Sequence, residues 1–234
     1  MTNAFIRKLA RFAVFNDEET AALERLSAKP ELHMRGKDLV RQGDRPNAAR
    51  LLLSGWAYRY KVLRDGSRQI VAYLLPGDVC DIHGTMLGEM DHSIGLLTDA
   101  EVVTVPAEEM REVMDRHRLI ERALWRASLA DGAILREWLA NIGQRDAFSR
   151  TGHHLCELWH RVKNIGLVSD SHEFDLPVTQ EELGDSLGLT SVHVNRTIKR
   201  LRDEELITLK NKRLTLLDPE RLSHITGFDP AYIR

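Results

Sequence analysis

The stretch LGLTSVHVNRTIKRLR, Leu187 to Arg202, places Arg196, Lys199, Arg200 and Arg202 within seven residues and holds no carboxylate from Thr190 to Arg202. The chain as a whole carries a formal net charge of −2, so this is a local concentration of positive charge. The chemistry it suits is nucleic-acid recognition. A guanidinium can bond a guanine edge bidentately, an amide such as Asn195 can pair with a base edge, and ammonium groups neutralise phosphates. Further along, KNKR supplies Lys210 and Lys212 as phosphate partners. Ser191, His193, Asn195, Arg196, Lys199 and Arg200 would share the polar face of one helix, whose apolar positions Val194, Ile198 and Leu201 fall at helical spacing.

Other groups invite a chemical reading. His153, His154, Cys156, Glu157 and His160 crowd one helical segment, and Cys156 and His160 stand at i, i+4 with atoms suited to zinc. Such residues beside an interface more often pack than bind, and no third ligand is evident, so no metal is assigned. The expectation is that the chain is not an enzyme: it has no Walker loop, no G-x-S-x-G elbow and no H-E-x-x-H helix. The competing reading, a cupin-like barrel holding a metal on Asp81, His83 and His92, lacks the HxH spacing of such barrels.

These residues need elements to hold them. From about Glu31 to Pro106, short strand-like runs are punctuated by Gly43, Gly55, Gly66 and Gly77, as turns joining antiparallel strands would be. A helical pattern starts near Ala107. After a turn at Arg116 to Arg118 it becomes long, with Ile120, Leu124, Ala127, Ala130/Asp131, Ile134, Trp138 and Ile142 on one stripe, read as a coiled-coil-like dimer seam. A break around Gln144 to Arg150 precedes another amphipathic helix, TGHHLCELWHRVKNIG. Val178 to Leu187 then reads as a helix opened by a Thr179/Glu182 capping box, with Leu183 and Leu187 inward and Gly184 allowing close approach. A tight turn, a helix capped by Thr190 and the hairpin LITLKNKRLTLLD complete a winged helix-turn-helix. The 234 residues suffice for two modest domains, and no apolar run reaches the roughly 18 residues of a membrane span. With no signal-peptide pattern in MTNAFIRKLARF and only Cys80 and Cys156 as thiols, the expected setting is the cytoplasm, with no membrane partner.

The glycine-punctuated roll, Gly77–Asp78, the long helix and the block TQEELGDSLGLTSVHVNRTIKRLRDEELI occur in an order that resembles the Crp/Fnr superfamily of dimeric bacterial transcription regulators, over nearly the whole chain. The resemblance implies an α+β fold: an N-terminal antiparallel β-roll (a double-stranded β-helix, cyclic-nucleotide-binding-like) in 1–115, a long dimerisation helix in 116–144, and a winged helix-turn-helix in 145–234. It implies double-stranded DNA, a second copy of the chain and RNA polymerase as partners. It also assigns base contacts to the positions of Ser191, Val192 and Arg196, and backbone contacts to Thr179, Thr190, His193 and Lys199. Arg196 fits a guanine reader. Val192 cannot accept a cytosine amino proton, so the half-site should depart from the familiar family pattern.

The same resemblance implies an effector pocket in the roll, near Cys80, Asp81, His83, His92, Ser93, Leu135 and Arg136. The residues disfavour the usual cyclic-AMP mode. Asp81 and Ile82 stand where a glycine and a glutamate would approach the ribose, and His92 replaces the arginine that would hold the phosphate; Ser93 is kept. Ile134, Leu135 and Arg136 stand where hydroxyls would meet the base. Two cysteines cannot supply the four ligands of an iron–sulfur cluster. A haem on His83 or His92, or a redox role for Cys80, is left open, and the effector is unassigned.

Overall fold

The computed structural model describes residues 3–233; the side chain of His83 lies outside that description. Packing divides the chain into two units, Met1–Leu129 and Ala130–Arg234. The boundary therefore falls inside the long helix, whereas the three-part division expected from sequence gave that helix a segment of its own.

The first unit opens with two helices for which strand periodicity gave no warning, α1 (Ala4–Leu9) and α2 (Asp17–Leu26). A signal for α2 was nonetheless present: Asn16 and Glu19 form a reciprocal capping box, with each side chain bonding the other's backbone N–H. Strands β1 (Glu31–His33), β2 (Asp38–Val40), β3 (Ala48–Leu52), β4 (Ala57–Val62) and β5 (Arg68–Leu74) follow, then α3 (Ile82–Leu87), β6 (Ser93–Leu96) and β7 (Ala100–Pro106). They form two antiparallel sheets, ordered β1-β7-β3 and β2-β6-β4-β5. Gly43, Gly55, Gly66 and Gly77 all have positive φ. At Gly55 the side chain must also be absent, because a Cβ would lie 2.4 Å from the Asp99 carbonyl oxygen. Between the sheets sits a core that includes Val40, Leu52, Leu74, Cys80, Ile94 and Val102.

Helices α4 (Ala107–Arg116) and α5 (Arg118–Gln144) close the unit from outside. A second core joins Phe5, Leu9, Leu23, Leu51, Val105, Met110, Ile120 and Leu124, with Ala127 packed against it. Arg126 in α5 donates to the Phe12 carbonyl at 2.6 Å. This corrects the seam drawn from sequence: Ile120, Leu124 and Ala127 face the chain's own core. The large apolar side chains that α5 leaves exposed are Trp125, Leu129, Leu135 and Leu139.

In the second unit, Trp138 is buried, against α6 (Ala147–Asn164), which an Asp146 N-cap opens. After β8 (Glu173–Asp175) come α7 (Gln180–Leu187) and α8 (Ser191–Asp203). Strands β9 (Ile207–Lys210) and β10 (Arg213–Leu216) follow, and then α9 (Pro219–Thr226), with a 3-10 turn at Pro230–Tyr232. The three strands make an antiparallel sheet ordered β8-β10-β9. Helix α9 was another element missed from sequence, although Asp218, Pro219 and Gly227 occupy the capping, first-turn and C′ positions that favour it.

Candidate nucleic-acid interface

Helices α7 and α8 are set by local chemistry. Thr179 and Glu182 form the expected capping box at the start of α7. Leu183 and Leu187 are buried, and Gly184 is required because a Cβ there would lie 2.5 Å from the Leu189 carbonyl oxygen in the turn. Thr190 caps α8 by accepting from the His193 N–H at 3.3 Å. Val194, Thr197, Ile198 and Leu201 form the buried face of α8.

At about 100° per residue, Val192 lies opposite Leu201, and Arg196 and Lys199 flank it within roughly 40°. Asn195 stands about 60° away, while Ser191, His193, Arg200 and Arg202 fall toward the sides. Apart from the buried Leu201, all of these residues are exposed. The four cations that drew attention in sequence therefore separate into two kinds. Arg200 bonds Glu204 at 2.8 Å and lies 4.0 Å over the Phe148 ring, and Arg202 bonds the Leu209 carbonyl on β9. These two brace the helix against its neighbours. Arg196 and Lys199 have no ion-pair partner among the described residues, and they stand beside Val192 and Asn195 on the outermost stripe.

The hairpin β9–β10 turns through Asn211 and Lys212 with φ of 52° and 61°, a two-residue loop whose twist suits paired strands. Lys210 is exposed, and the Lys212 ammonium lies 3.5 Å from the Pro177 carbonyl oxygen. Arg213, at the same tip, is held by Glu173 at 3.1 Å and Asp175 at 3.4 Å. Arg150 fixes the unit from below, donating to the Leu187 carbonyl at 2.9 Å and the Arg145 carbonyl at 2.9 Å. No local pattern in the sequence pointed to that role.

The histidine-rich segment of α6 is packed. Glu157 is fully buried and accepts from the Trp138 indole N–H at 2.8 Å and the Tyr232 hydroxyl at 2.9 Å, with Arg161 3.6 Å away. Burial raises its carboxyl pKa, and Arg161 opposes the shift. Cys156 is pushed up to about 12 by burial, which makes it an inert thiol. Among the described residues no group of three or more His, Cys, Asp or Glu side chains is arranged to hold a metal ion.

His153 and His154 are lowered from about 6.5 to about 4 and about 3, chiefly by burial. Arg145 adds to the first shift while Glu137 opposes it; His153 and Arg161 add to the second. Because the unfolded chain takes up protons that these folded imidazoles refuse, the stability they confer is complete above pH 6.5 and is lost as pH falls toward 4 and 3. The denaturant midpoint of this unit should therefore fall between about pH 6.5 and 5, above the carboxylate range. A midpoint flat across that interval would refute the assignment.

In the first unit, the suggested effector residues are engaged. Asp81 is buried, ion-paired to the Arg50 guanidinium and bonded to the Arg50 N–H at 2.6 Å. Burial raises its pKa, and Arg50 is the main opposing influence. Cys80 is buried, and its pKa is pushed up to about 12, which argues against a redox role. His92 Nδ1 lies 2.7 Å from Asp91, and Ser93 accepts from the Gln42 N–H at 2.9 Å. His83 belongs to α3, with its side chain outside the described residues. Leu135 and Arg136 belong to the second unit, exposed on α5.

Two domain families match the sequence: the cyclic nucleotide-binding domain over residues 32–117 and the Crp-like helix-turn-helix domain over residues 149–225. Among curated proteins, the chain is 28% identical over 227 residues to the transcriptional activator protein FnrL of Cereibacter sphaeroides, covering 96% of this chain and 90% of that protein. It is 30% identical over 170 residues to the nitrogen fixation regulation protein FixK of Azorhizobium caulinodans, covering 71% of this chain and 66% of that protein. The solved structure of FixK2 from Bradyrhizobium japonicum shares the fold, with a TM-score of 0.75 and 22% identity over 84% of this chain and 96% of that one.

Proposed function

The chain belongs to the Crp/Fnr family of helix-turn-helix transcription regulators, and from that premise we propose that it acts as a homodimer reading a palindromic DNA operator through α8. The observation that carries this reading is the exposed stripe of Val192, Asn195, Arg196 and Lys199, opposite the buried Leu201 and beside the hairpin that bears Lys210 and Lys212. Asn195 and Arg196 meet base edges. Lys199, Lys210 and Lys212 meet phosphates, as do His193 and the capping residues Thr179 and Thr190 at helix N-termini. Ser191 stands at the edge of the contact, and Arg200 serves chiefly to hold the helix.

Dimerisation uses the outer stripe of α5. Trp125, Gly132 and Leu139 recur every seventh residue, with Leu129 and Leu135 beside them, which is coiled-coil spacing. Two-fold pairing of these helices sets two copies of α8 about 34 Å apart, in successive major grooves. Replacing Leu129 and Leu139, 68% and 72% exposed, by glutamate should convert the dimer to a monomer in sedimentation equilibrium without unfolding it. A dimer that persists would overturn the seam.

Cyclic AMP in the usual mode is not the effector of this reading, because the Asp81 carboxylate would face the phosphate and is already committed to Arg50. The chemical alternative is a haem or metal sensed by the roll. RNA polymerase is the further partner of a regulator at its promoter, and the cytoplasm is where these partners meet. Among the described residues no helix is long and apolar enough to cross a membrane. The test is selection of bound sequences from a random DNA pool by the purified full-length protein, with metal and haem content recorded. Enrichment of a palindrome supports sequence-specific reading without added effector; a folded dimer that enriches nothing counts against it.

A further inference from the structure

Val192 is the odd member of the outermost stripe. It is 66% exposed, in the first turn of α8, about 180° from Leu201, and its neighbours Asn195, Arg196 and Lys199 are polar. A valine in that place serves neither the core nor phosphate binding. The residues at the N-terminal end of a recognition helix are the ones that meet base edges. In the major groove those edges are polar acceptors and donors with one apolar feature, the C5 methyl of thymine. We propose that Val192 reads a thymine methyl in each half-site and is a specificity-determining residue; this rests on the reading of α8 as the recognition helix.

The preference has two sources. Against the thymine methyl, the valine removes apolar surface from water on both sides of the contact. Against guanine O6 or a cytosine amino group, it would strip water from a polar edge and offer no bond in return. Its β-branched side chain holds one preferred rotamer in a helix, so little freedom is lost on contact. Arg196 is one turn further along, about 6 Å on the helix axis, which corresponds to about two base-pair steps of 3.4 Å. The thymine should therefore lie within about two base pairs of the guanine that Arg196 reads.

The test uses the operator selected by the full-length protein, with each thymine replaced in turn by deoxyuridine, which lacks only the C5 methyl. Wild-type protein should lose about fourfold in affinity per half-site at one thymine, the loss that burial of one methyl-sized group predicts. Val192→Ala should bind the thymine and uracil operators alike, with unchanged thermal unfolding because the site is exposed. Lys199→Ala should keep the uracil sensitivity while binding all DNA more weakly. No sensitive thymine in that place, or a sensitivity that persists in Val192→Ala, would overturn the proposal while leaving α8 as the recognition helix. Failure to select any operator would overturn that reading and this proposal with it.

Discussion

Arg196→Ala is expected to lower affinity for the preferred operator by roughly 1–3 kcal/mol, about 5- to 150-fold, and to relax the preference at one base pair in each half-site. The expectation follows from its setting. The guanidinium stands on the outermost stripe of α8 and has no ion-pair partner among the described residues. Its two parallel N–H groups match the O6 and N7 acceptors of guanine, an arrangement no other base pair presents. Lys199, beside it, carries a charge without that fork. Lys199→Ala should weaken binding to preferred and random DNA alike and reduce the slope of log K against log salt by about one. Both are read by titrating operator and scrambled DNA at several salt concentrations. If the two variants lose specificity equally, the division between base reader and phosphate partner is wrong.

That division shows where sequence stops being informative. The helix, its caps, its buried face and the basic hairpin are local features, fixed by residues within a few positions of each other, and each was legible. The fate of each cation was not. Arg200 lies over Phe148, 52 positions earlier, and Arg202 bonds a carbonyl on β9. Only the folded unit brings those partners to the helix. In α5 the ambiguity was between two faces: Ile120 and Leu124 lie roughly 100° to 180° around the helix from Trp125 and Leu129, and both stripes have acceptable apolar spacing. Periodicity cannot say which of them faces the chain's own core. At Asp81 the difficulty was the missing partner, since nothing near it in sequence announces Arg50.

The buried centre of the second unit should give the largest stability effect. Glu157→Ala is expected to cost about 3–5 kcal/mol, because it removes the buried counter-charge that Glu157 gives Arg161 and the acceptor it gives the Trp138 and Tyr232 donors. Those partners come from α5, from α6 itself and from the C-terminal turn, so the loss loosens the platform against which α8 packs. Glu157→Gln keeps the size and one carbonyl acceptor for the indole, and its amide can donate to the tyrosine oxygen. It should cost less than alanine, because the hydrogen bonds to the indole and the tyrosine are partly kept and only the charge facing Arg161 is lost. Calorimetry of the two variants separates the cases. A smaller loss for glutamine than for alanine assigns the stability to the hydrogen-bonded network, whereas equal losses would assign it to the charge facing Arg161. An alanine variant as stable as wild type would remove the network from the account of how this unit is held.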